Sequence, residues 1–241
     1  MSREDVCAER LCRSDFPVGG NRPQQFCFPA GLSGESIVAM KLLAPLLVIG
    51  ACAVAQEIQQ VPPYVAAKIA QRVTASLGTP ADAPFAVDPD VKMPGGVMAS
   101  WETILVALPD RKLTPDTLAA AGKEVVAVGH LWMHQVVPFV NGAATAPEKL
   151  RSFMMTDNGK EMKVEGYYLG FARTDAGTLE LSVYGKDKNP LVKVPLVKTS
   201  GAASAVPIHL DGRKAGEHTG VLIITIFGNF KAEVTVIGPR G

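Results

Sequence analysis

The chain has 241 residues, 47% of them hydrophobic, with 24 Lys and Arg against 23 Asp and Glu. That is enough chain for a packed core, and its interleaved, near-neutral charge argues against nucleic acid or an anionic membrane surface as a partner. All four cysteines lie at or before Cys52, so a chain starting beyond it has no disulfide framework, thiol nucleophile or thiolate metal site.

The stretch "MKLLAPLLVIGACAVAQEIQ" begins at Met40. Met40 and Lys41 give a positive start, residues 42–51 form an apolar run, and Ala53-Val54-Ala55 offers the small-x-small site before Gln56. Those parts in that order predict a signal peptide over 40–55. The run is far shorter than the roughly 20 apolar residues a membrane-spanning helix needs. Ile49-Gly50-Ala51-Cys52 also looks like a bacterial lipobox. Acylation of Cys52 would tether the protein to a membrane instead of releasing it, and this is the one route by which a membrane enters the reading. Residues 1–39 carry Cys7, Cys12 and Cys27 and no sustained apolar period. They read as a segment upstream of a true start at Met40, or as a disordered extension. From Gln56 onward, 19 Lys and Arg face 18 Asp and Glu.

Residues 56–96 read as a short helix followed by a Pro-rich linker. Pro62-Pro63 opens the helix, Val65, Ile69, Val73 and Leu77 recur every fourth residue to make one apolar face, and Gly78 suits the position after its end. "TPADAPFAVDPDVKMPGG" is linker or extended wrap-around chain. A β-sandwich domain is expected over 97–241.

Within it, residues 101–108 form an apolar strand. "LTPDTLAAAG" predicts a compact helix with Thr114 as N-cap, Pro115 in the first position, Asp116 in the first turn and Gly122 as the stop. Residues 124–140 lean β, with breaks or bulges at Gly129 and Pro138. Residues 147–150 suggest a third short helix, closed before the turn at 157–159. Along 160–173 the apolar parity changes between Met162, Val164 and Tyr167, Leu169, Phe171, which predicts a β-bulge near Gly166. Leu179, Leu181 and Val183 alternate with outward residues, and "LVKVPLVK" reads as an edge strand because Pro195 cannot donate to a ladder. Residues 206–210 give a short strand, "DGRKAGEHTG" a polar loop, "VLIITIF" a buried strand, and "KAEVTVIG" an alternating one. Strands at this spacing define a mainly β, antiparallel β-sandwich. An Ig-like architecture is compatible, although the Cys…Trp…Cys hallmark is missing from the domain.

Of the four histidines, His130 and His134 are four apart. On a helix they could share a metal. Their β-branched flanks place them in a strand, where about 13 Å separates such positions, so they read as half-exposed strand residues. His209 and His218 bracket a loop with Asp211, and a hairpin bringing the three together would offer nitrogen and carboxylate ligands for a divalent cation. Asp88 and Asp90 read as solvating acids. Trp101, Trp132, Tyr167, Tyr168, Tyr184, Phe227 and Phe230 are foremost packing residues. Tyr167 and Tyr168 are adjacent, so one must face away from the core and could stack on a sugar ring. The chain contains no P-loop, G-x-S-x-G, H-E-x-x-H or dinucleotide fingerprint, and nothing points to a cofactor. The expected role is an exported, periplasmic or secreted, non-enzymatic binding or structural protein with a protein or glycan partner. The alternatives are a carbohydrate-binding module and, behind it, an unrecognised hydrolase.

Overall fold

Side chains that alternate in character along an extended backbone sort to opposite faces, and two antiparallel sheets result. A computed structural model of the chain describes residues 58–77, 82–100, 103–157 and 159–238. The predicted signal peptide, Cys52, Gly78 and Trp101 lie outside them. In chain order the strands are β1 (Gln59–Gln60), β2 (Gly95–Ser100), β3 (Thr103–Pro109), β4 (Val126–His134), β5 (Val137–Val140), β6 (Ala143–Ala144) and β7 (Arg151–Asp157). They continue with β8 (Lys160–Arg173), β9 (Leu179–Tyr184), β10 (Pro190–Pro195), β11 (Val197–Lys198), β12 (Ile208–Lys214), β13 (Thr219–Ile226) and β14 (Phe230–Ile237). Helix α1 (Pro63–Leu77) follows β1, α2 (Pro115–Ala119) follows β3, and a 3₁₀ turn occupies Pro147–Lys149.

The first sheet runs β1-β2-β3-β4-β8-β9-β10, with β7 also paired to β8. The second runs β12-β13-β14-β5-β6, with β11 paired to β14. The chain is a mainly β, antiparallel β-sandwich. It crosses between sheets at Gln135, whose φ of 65° turns the backbone from β4 into β5. Buried Leu196 marks a second crossing, from β10 to β11. Between the layers lies the main core, which includes Leu131, Leu169, Phe171, Ile208, Ile224 and Val234. Each such aliphatic or aromatic side chain contributes about 1.5–3 kcal/mol on full burial.

Local chemistry sets several boundaries. The Thr114 side chain accepts from the Thr117 amide while Thr117 Oγ1 accepts from the Thr114 amide, so two orphan donors at the start of α2 are satisfied. The expected single edge strand over 191–198 is split: β10 is the edge of the first sheet, consistent with Pro195 and the exposed Lys193, whereas Val197–Lys198 crosses to pair with β14 of the second.

Several expectations are corrected. Strand β8 has no bulge at Gly166: it pairs with β7 in unbroken register, and its shift against β4 falls between Ala127 and Gly129 of the partner. The parity change arises because β8 is covered on both faces. Tyr167, Leu169 and Phe171 enter the inter-sheet core, whereas Val164 packs beneath α1 and Tyr168 beneath Phe85. The break after β4 comes at Gln135, and Pro138 sits within β5 opposite Val236. The short helix expected at 147–150 is a single 3₁₀ turn, and residues 151–157, for which the sequence predicts no element, form β7. Finally, "DGRK" continues β12, and the hairpin turn lies at residues 215–218, closed by Ala215 and Gly216 amides donating to the Thr219 carbonyl.

Within 56–96, the described residues lie on the sandwich. Strand β1 pairs with β2, and α1 crosses the outer face of the first sheet. Ala66, Ala70 and Val73 are its deepest residues, so the contacting stripe is rotated from the expected Val65–Ile69 line. Small side chains let the helix backbone approach the sheet closely. The Pro-rich segment wraps onto β3 through Asp90 N–H to Pro109 O (2.7 Å), Arg111 N–H to Asp88 O (2.9 Å) and Asp88 N–H to Asp110 Oδ2 (2.8 Å).

Candidate functional site

On its outer face, β4 places His130 opposite Tyr168 of β8. Their rings stand edge to face, 4.7 Å between centroids at 89°, a geometry that the quadrupoles of the two rings favour. Trp132 follows two positions along β4, 6.3 Å from the His130 ring and 5.5 Å from that of Phe153. Phe85, from the Pro-rich segment, meets Tyr168 and Tyr184 edge-on at 5.9 and 5.3 Å. Arg151, at the start of β7, lies 5.5 Å from the Tyr168 ring, donates to Asp82 Oδ1 at 2.9 Å and donates to Lys186 O at 3.1 Å.

This cluster is closed. His130, Trp132, Arg151 and Tyr168 are all buried, and among the described residues both His130 ring nitrogens and Trp132 Nε1 lack hydrogen-bond partners. Burial, with the Arg151 cation adding to it, pushes His130 down to about 4, so the ring is neutral near pH 7. Burial raises the Tyr168 hydroxyl, with Arg151 opposing. The Arg151 hydrogen bond holds the Asp82 carboxyl below its ordinary value. A general base needs reach to a substrate and a pKa near the working pH. His130, 6% exposed, has neither.

Next to the cluster, α1 and the sheet diverge around a groove of about 390 Å³. Val65, Ile69 and Val73 form its helix wall; Ile104, Val106, Met155, Met162 and Val164 form its floor. Trp132 and His134 complete the lining, and Lys68 and Arg72 stand at the rim one helical turn apart. His134 Nδ1 lies 2.8 Å from Lys163 O. A carbonyl only accepts, so that nitrogen carries the proton.

Three other concavities carry mixed charge, one of them, of about 400 Å³, with Lys149 and Asp187 among its lining residues. One of about 630 Å³ lies at the β4–β5 corner, beside Lys160, Glu161 and the Lys163–Glu165 ion pair. One of about 250 Å³ opens at an end of the sandwich, over Val97, Leu105 and Leu222, with Asp211, Arg213 and Glu217 among its lining residues.

The residues singled out in the sequence fall elsewhere. His209 and Asp211 sit two positions apart on β12, opposite Thr225 and Ile223. His218 lies in the turn before β13 and lines the concavity of about 250 Å³ together with Asp211, whereas His209 does not line it. Because β12 continues through the Asp-Gly pair, the three proposed metal ligands are not gathered. Among the described residues no three His, Cys, Asp or Glu side chains could hold a metal. Tyr167 and Tyr168 are 1% and 3% exposed, so neither offers a surface for sugar stacking. Nor is His130 half-exposed, since it packs against Tyr168 and Trp132 in the closed cluster. Arg151, Lys68 and the two groove methionines were not singled out. The Lys68–Arg72 spacing of four was the signal available for the rim. Comparison of the chain with protein-family models, curated proteins and solved structures gives no match.

Proposed function

We propose that this chain is an exported, non-enzymatic binding protein, acting in the periplasm or secreted, or held at a membrane by an acyl chain on Cys52. The observation that carries the binding role is the groove beneath α1, a preformed concavity with aliphatic and methionine walls. Its volume falls within the roughly 300–1,000 Å³ usual for ligand pockets, and methionines adapt to the shape of what they touch. The sugar-binding alternative loses its support with the burial of the strand tyrosines. Export rests on the ordered leader at 40–55. Among the described residues no helix is long and apolar enough to cross a membrane.

Cell fractionation of the native host, followed by intact mass of the recovered protein, tests the export half. The expected product starts at Gln56, or at an acylated Cys52, and is found outside the cytosol. A chain that retains residues 40–55 and stays in the cytosol contradicts it.

A further inference from the structure

Resting on the binding reading, we infer that the groove beneath α1 takes a single-chain anionic amphiphile, a fatty acid being the simplest case. The alkyl body lies between Val65 and Ile69 above and Met155, Met162 and Val164 below, and the acidic head meets Lys68. Two independent features point to this ligand class.

The first is the sign of the lining. Among the described residues no Asp or Glu lines the groove, and the charged lining residues are Lys68 and Arg72, of which Arg72 is already engaged elsewhere. Lys68 is exposed and has no ion-pair partner among the described residues. The three other concavities carry carboxylates beside their cations, so among these four it is here that charge favours an anion.

The second is the indole of Trp132, which lines this groove, is 2% exposed and leaves Nε1 without a partner. A buried N–H left unmatched is costly, and an acceptor atom on a ligand would satisfy it once the indole turns toward the groove. A purely apolar ligand would not. Apolar walls, a cationic rim and an unmatched donor together describe the complement of an alkyl chain with an oxygen-bearing anionic head.

The test is calorimetric titration of the full chain with dodecanoate below its micelle concentration. Parallel titrations use dodecanol and vesicles of phosphatidylcholine with phosphatidylglycerol. One-to-one saturable binding of dodecanoate is expected. Lys68→Glu, a surface change, should weaken it about tenfold and leave dodecanol unaffected. Val65→Trp, which fills the groove from the helix side, should abolish both, with circular dichroism checking that each variant is folded. Equal affinity for dodecanol and dodecanoate with no effect of Lys68→Glu overturns the head-group assignment. Binding to vesicles without binding to monomeric dodecanoate assigns the face to a membrane surface and overturns the inference. No binding in any titration also overturns it. If the host protein still carries a different non-covalent ligand, the binding reading survives that failure.

Discussion

Arg151 Nη1 donates to Asp82 Oδ1 across 2.9 Å, joining residues 69 positions apart. The Arg151 side chain is only 9% exposed, whereas that of Asp82 is 53% exposed. The pair therefore pins the start of the Pro-rich segment to β7 from the buried side, and the two partners are unequal. Arg151→Ala removes the contacts with Asp82, the Lys186 carbonyl and the Tyr168 ring, and should cost about 2–4 kcal/mol. Arg151→Lys keeps the charge without the planar fork and should fall between wild type and alanine. Asp82→Asn should cost less than Arg151→Ala, because much of that side chain is already in water. Urea unfolding midpoints check the order, and an Asp82→Asn loss exceeding that of Arg151→Ala would contradict it.

The pH dependence of stability separates Asp82 from His130. Asp82 has a folded pKa below its unfolded value, so its contribution is present above the unfolded pKa and fades as pH falls through the folded one. His130 is held neutral at about 4, against 6.5 unfolded. The unfolded chain thus binds the extra proton between those values. The His130 contribution to stability should fall by about 3 kcal/mol as pH drops from about 6.5 to about 4 and level off below, where the Asp82 contribution fades in turn. His130→Leu should flatten that window while changing stability near pH 7 by less than about 1.5 kcal/mol, since the ring makes no hydrogen bond to lose. Parallel pH curves for the two proteins would refute this.

Gly129 sits in β4 with φ of 152°, at the register shift between Ala127 and its own position. A Cβ there would overlap the Leu108 carbonyl. Gly129→Ala should therefore cost about 3 kcal/mol or more. Gly177, also at positive φ (80°), has nothing within 4 Å of its would-be Cβ, so Gly177→Ala carries conformational strain alone, about 1 kcal/mol. Thermal unfolding of the two variants separates steric from conformational cost. Equal losses would deny the overlap.

Tyrosine reactivity reports which rings are accessible. Tyr64 is 68% exposed, against 1%, 3% and 5% for Tyr167, Tyr168 and Tyr184. Brief nitration of the native protein, read by peptide mass, should modify Tyr64 first. Early modification of Tyr167 or Tyr168 would restore an exposed aromatic face and the sugar-binding alternative with it.

Elements with strong local chemistry were legible from the residues themselves. Thr114 and Pro115 announce α2, Leu181 and Val183 announce β9, Val234 and Val236 announce β14, and Pro195 marks the edge. Strand β7 escaped because Phe153, Met154 and Met155 form an unbroken apolar run, although Met154 ends up 60% exposed. Charged residues hid the second half of β12, whose ladder is set by backbone pairing with β13. The outer cluster was illegible for a different reason. Alternation says that Tyr167 and Tyr168 point oppositely, but whether the second face is wet depends on Phe85, far away in sequence. The groove likewise depends on α1 resting on Ala66 and Ala70, which frees Val65 and Ile69 to line a cavity.

The most direct test of the binding role is native mass spectrometry of the protein recovered gently from its own host. A non-covalently bound species, released unchanged when the chain unfolds and missing from Val65→Trp, is the predicted result. A bare chain, or a bound molecule chemically converted during incubation with the purified protein, would contradict it.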